Sequence, residues 1–136
     1  MIYIGIDTGT HTGFAVWNSL TRALYRVETK SIHKVMEEVK SYASLENNKI
    51  LVRFEDARLR NWFGNAGREQ LQGAGSIKRD CNIWEDFLKD KNIPYEAVAP
   101  KRNRTKLSAV QFKELTGWKE RTTEHSRDAA MLVYGY

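Results

Sequence analysis

The sequence predicts an α/β fold on a mixed five-stranded sheet, an antiparallel meander followed by parallel strands, flanked by helices. Three observations predict it. Apolar runs at 2–6, 13–17 and 22–28 follow one another with only turns between them, the pattern of a meander. A stretch with helical spacing then leads to a fourth apolar run at 50–54, and a strand reached through a crossover helix lies parallel to the first. A longer helical stretch leads to a fifth strand at 94–99, and helical segments close the chain.

The elements justify themselves in order. Isoleucines 2, 4 and 6 alternate on a strand that ends at Asp7, and Thr8-Gly9-Thr10 turns the chain into Gly13–Trp17. Asn18–Thr21 is the next turn, and the third strand alternates around Leu24 and Val27. Ser31 is placed to cap a helix carrying Ile32, Val35, Met36, Val39 and Tyr42 at helical spacing. The strand at 50–54 terminates in Glu55-Asp56, beside Asp7 if the two strands are parallel neighbours. The long helix sets Leu71, Ala74, Ile77, Cys81, Trp84 and Leu88 on one stripe, and its Gly73 and Gly75 suggest close approach of another backbone. Ser108 caps a short helix stopped by Thr116-Gly117. Thr122 or Thr123 caps the last one, whose Ala129–Tyr134 body is apolar nearly all round.

At 136 residues the chain can bury a core as one domain. Apolar residues are 41% and charged residues 29%, which excludes a disordered chain. The single Cys81 excludes an internal disulfide and fits a reducing compartment. No apolar run approaches the roughly 20 residues of a membrane span, and no signal-peptide pattern opens the chain. A soluble, cytoplasmic protein with no membrane partner is expected. Lysine plus arginine number 22 against 17 acids, a net +5, compatible with a polyanion such as nucleic acid.

The distribution of charge says more than its sum. An acid ending an apolar strand is costly to bury unless paired or bound to metal, although Asp7 alone also reads as a turn residue. Glu55 ends a second strand. His125 and Asp128 lie three apart on one face at the start of the last helix, where alone they read as a solvated side chain and a dipole partner. Arg58, Arg60, Trp62, Phe63 and Arg68 crowd the loop after Glu55, and Lys101, Arg102, Arg104 and Lys106 fall within six residues. Aromatics beside cations suit stacking on unpaired bases, and clustered cations suit phosphates; core packing for Trp62 and a solvated loop for 101–106 are the plain alternatives.

The ordered set Asp7, Glu55, His125-x-x-Asp128-Ala129-Ala130, with Leu71–Gly75 and the basic 101–106 segment between, resembles the RuvC-type Holliday junction resolvases of the ribonuclease-H-like superfamily. The resemblance covers essentially the whole chain, so residues 1–136 are expected to form a single ribonuclease-H-like nuclease domain. The chain departs from that family in being shorter before the last helix and in following Glu55 with Asp56.

The resemblance implies a metal-dependent endonuclease, a crossover junction endodeoxyribonuclease of DNA recombination and repair. Asp7 would bridge two Mg²⁺ ions, for which Mn²⁺ can substitute, with Glu55 on one and Asp128 on the other. His125 would ligate, orient the water or shuttle a proton. Trp62 or Phe63 would insert at the centre of a four-way junction, and a homodimer would cut it symmetrically; no small-molecule cofactor is implied. Carboxylates are the ligands hard cations prefer, and two ions about 3.5–4 Å apart clamp the attacking and departing oxygens of a phosphodiester. Rival readings are a nuclease for flaps or RNA–DNA hybrids and a non-catalytic nucleic-acid-binding module. A third is a phosphate-binding relative of actin and the sugar kinases, which needs two such domains.

Overall fold

Alternation places the first strand between two packed layers. The computed structural model describes residues 1–45, 47, 49–59, 68–100 and 106–136, with 68–74 as backbone alone. Strands β1 (Ile2–Asp7), β2 (His11–Asn18), β3 (Ala23–Ser31), β4 (Ile50–Glu55) and β5 (Tyr95–Val98) form one sheet in the order β3-β2-β1-β4-β5. β1–β2 and β2–β3 are antiparallel, whereas β1–β4 and β4–β5 are parallel, as expected.

Helix α1 (Ile32–Ser44) crosses from β3 to β4, and α2 (Arg68–Asp90) from β4 to β5. Both cover one sheet face, where Ile4, Ile6, Phe14, Val52 and Phe54 meet Val35, Val39, Cys81, Trp84 and Leu88. Helices α3 (Ala109–Thr116) and α4 (Glu124–Met131) and the turns after α4 cover the other, packing Phe112, Ala129, Ala130 and Val133 on Ala15, Trp17 and Val27. Period-two burial along β4 separates Phe54, in the first layer, from its neighbours Arg53 and Glu55. Arg53 confirms its side by donating from Nε to the Leu132 carbonyl, 2.8 Å away at the end of α4.

The caps follow from local chemistry. Ser108 accepts from the Gln111 amide while Gln111 reaches back to Ser108, and Gly117 closes α3 with φ 73°, where a Cβ would be strained. Ser31 stands at the N-cap of α1 without a side-chain capping bond.

Three expectations change. Among the described residues a Cβ on Gly75 meets nothing within 4 Å, so none of the described backbone approaches α2 there. Ile77 is exposed, and among the described side chains of the stripe Cys81, Trp84 and Leu88 are buried, Leu71 and Ala74 lying outside them. Helix α4 stops at Met131 and the chain continues as turns, although Leu132 and Val133 remain buried.

Candidate active site

Register brings the first two acids together. Ile6 pairs with Phe54, so Asp7 and Glu55 are the next residues on adjacent parallel strands. Ile6 and Phe54 point into the α1/α2 layer, which turns Asp7 and Glu55 toward the α4 side.

Helix α4 reaches them because two glycines let it. A Cβ on Gly13 would lie 2.0 Å from the His125 carbonyl oxygen, and one on Gly5 would lie 2.0 Å from that of Ala129. These carbonyls are one helical turn apart, so α4 rests its backbone directly on the sheet. Thr123 starts the helix in a reciprocal capping box with Ser126, and its hydroxyl bonds that of Thr29 on β3.

The result is a bond between the ends of the chain: His125 Nδ1 lies 2.9 Å from Asp7 Oδ2. The Asp7 side chain is 14% exposed and that of His125 50%. Burial pushes the Asp7 carboxyl up, and the His125 bond offsets only part of that. Asp128 is pushed up to about 7, first by burial and then by the negative charges of Asp7, Glu55 and Glu124. Its Oδ1 is buried with no hydrogen-bond partner among the described residues.

A buried, unpartnered carboxylate oxygen beside two further carboxylates fits a hard cation in donor chemistry. As the side chains lie, no group of three or more His, Cys, Asp or Glu among the described residues converges closely enough to hold one.

Asp56 belongs elsewhere. Its side chain is 2% exposed and is enclosed by Arg58, which donates from its amide, Nε and Nη2 over 2.7–2.9 Å. Burial pushes Asp56 up, but Arg58 outweighs it and the net displacement is downward. Of the two consecutive acids, Glu55 is therefore the one turned toward Asp7. Arg58 also reaches Asn82 and Glu85 on α2, so its guanidinium braces the turn after β4.

Cys81 supports both strand ends from the α2 side, with Sγ 3.6 Å from Thr8 Oγ1 and 3.7 Å from the Glu55 carbonyl. Burial pushes this thiol up, which suits packing and not nucleophilic chemistry. Lys106 is exposed on the approach to α3. Arg60, Trp62, Phe63, Lys101, Arg102 and Arg104 lie outside the described residues, as does the side chain of Arg68 at the start of α2.

Gly5, Gly13 and Thr29 escaped the sequence reading. The available signal was glycine within a buried strand, which weakens the strand and marks close backbone approach.

No protein-family model and no curated protein matches the sequence. Among solved structures, the chain is similar to T. thermophilus RuvC in complex with Holliday junction substrate, at 18% identity and a TM-score of 0.61. The match covers 97% of this chain and 90% of that one. That likeness, together with the sheet order β3-β2-β1-β4-β5, shows a ribonuclease-H-like fold.

Proposed function

We propose that this chain is a metal-dependent endonuclease that cuts branched DNA, with four-way junctions as substrate and a homodimer as the cutting unit. The observation that carries the reading is the meeting of Asp7, Glu55 and the His125–Asp128 turn of α4 on one side of the sheet, tied by the 2.9 Å His125–Asp7 bond. The junction bound by the RuvC of similar fold supports this substrate over others.

Mg²⁺ ions, when bound, supply charge neutralisation on the phosphate and a more acidic water. Asp7, Glu55 and Asp128 would hold them. Asp128, pushed up to about 7, would have to be deprotonated to do so, so binding would be favoured by rising pH. With Asp7 accepting from Nδ1–H, His125 keeps Nε2 as its basic nitrogen and can move a proton there. That bond favours proton handling over ligation through Nδ1. The basic 101–106 segment and Arg58, Arg60, Trp62, Phe63 and Arg68 after β4 remain proposed DNA contacts.

Four substrates side by side with Mg²⁺ test the reading: four-way junction, flap, linear duplex and RNA–DNA hybrid. Paired, symmetric cuts in the junction are expected. Cutting of hybrid or flap alone moves the substrate, and cutting of none removes the nuclease reading.

A further inference from the structure

Arg127 is held differently from the other arginines that bond within the fold. Arg26, Arg53, Arg58 and Arg79 each end on a carboxylate. Arg127 ends on two neutral oxygens: Nε donates to the Leu107 carbonyl at 2.8 Å and Nη1 to the Thr122 hydroxyl at 3.0 Å. It makes no ion pair among the described residues.

Neutral acceptors orient a guanidinium without cancelling its charge. The fork is planar and stays protonated, so two fixed bonds also fix the direction of Nη2. Nη2 has no acceptor among the described residues, and Arg127 is only partly buried. A charged, oriented donor of this kind suits a phosphate, which a guanidinium meets in parallel N–H···O bonds. The plain alternative is a structural tie between Leu107 and Thr122, and that role needs hydrogen bonds but no charge.

Position names the ligand. Arg127 is rooted between His125 and Asp128 on α4, and the carbonyl it holds belongs to the residue after Lys106, an exposed cation. Leu107 is itself fixed by packing on the cluster that contains Phe112, Ala129 and Ala130. The guanidinium thus joins the helix of the candidate site to the end of the basic 101–106 segment. A polyanion with repeating phosphates is a ligand that Arg127 and Lys106 can share.

We infer that Arg127 is a phosphate contact for DNA, shared with Lys106 and indifferent to base sequence. The inference rests on the proposed nuclease reading and adds a DNA contact on α4 itself.

The test is the anisotropy of a short labelled duplex of mixed sequence, titrated with the full chain in EDTA from about 50 to about 200 mM salt. Arg127→Lys and Arg127→Gln both lose the fork, and only the second loses the charge. Arg127→Gln is expected to weaken binding roughly three- to tenfold and to make the salt slope shallower by about one, while Arg127→Lys keeps the wild-type slope. Melting temperatures measured alongside read the structural loss that the two variants share. Arg127→Gln with the wild-type slope, or both variants with equally shallow slopes, overturns the phosphate contact and leaves Arg127 a tie. Should Arg127→Gln not fold, the Nε–H signal of ¹⁵N-labelled wild type, assigned by its loss in Arg127→Lys, decides. It is expected to move with duplex, and a signal that stays in place while others shift overturns the contact. Junction cleavage with Mg²⁺ by the same wild-type sample then leaves the nuclease reading intact. A chain that neither binds duplex nor cuts a junction loses both.

Discussion

Glu55 and Asp56 are consecutive acids with opposite circumstances, and the contrast separates a structural acid cluster from a functional one. Asp56 is buried, but its counter-charge comes from the chain: Arg58 wraps it, Glu85 and Asn82 hold the other end of the guanidinium, and Tyr95 donates to Glu85. Its carboxyl is held down. Glu55, Asp7 and Asp128 share the other side of β4, and there the charges of Asp7 and Glu55 add to burial in raising Asp128. His125 meets Asp7 but leaves a buried Asp128 oxygen without a partner among the described residues. Folding satisfied the first cluster. The second keeps an excess of negative charge, which a fold tolerates where a cation is to be bound.

The largest test strikes the second cluster. Asp7→Asn is expected to lower cleavage on the order of 10³-fold or more, since it removes a metal-holding carboxylate and the His125 partner together. Its melting temperature in EDTA should hold or rise, because one like charge is gone. A cleavage gel and a thermal melt on one sample check both; an unfolded or fully active variant makes Asp7 a turn residue.

Arg58→Ala strikes the first cluster and should do the reverse. It strands a buried carboxylate, so a loss of about 3 kcal/mol is expected in denaturant unfolding. Adding Asp56→Asn should recover part of that loss. The folded fraction should still cut; a stable Arg58→Ala protein that no longer binds DNA would make Arg58 a DNA contact instead of a brace.

The smallest effect depends on pH. Asp128 binds its proton more tightly folded than unfolded, so its contribution to stability declines as pH rises from its ordinary 3.8 through about 7. Asp56, held below 3.8, behaves oppositely: its contribution is present above that pH and lost as pH falls through the depressed value. The Asp128 displacement corresponds to at most about 4 kcal/mol, and partial solvent access reduces the expected effect to about 1–2 kcal/mol. Asp128→Asn should therefore gain that much at pH 8 in EDTA and nothing at pH 3, read from denaturant midpoints. An equal gain at both would remove charge as the cause.

Periodicity and cap residues made the elements legible in the sequence, because both are local. Alternating isoleucines and the crossover spacing predicted the meander and the side-by-side ends of β1 and β4, and cap residues placed the starts of the last two helices at Ser108 and at Thr122 or Thr123. The same local logic failed at Gly75, where a glycine in a helix meets none of the described residues, and at Ile77, whose apolar spacing leaves it exposed.

The sequence by itself determined which acids stand at strand ends and which residues start the last helix, since a side chain's place along an element depends on its neighbours in the chain. Only the tertiary structure decided that Arg58 belongs to Asp56, that Glu55 turns toward Asp7, and that Gly5 and Gly13 admit the backbone of α4. Those outcomes depend on distances between residues such as Gly13 and His125, far apart in the chain, and no local periodicity encodes such a distance.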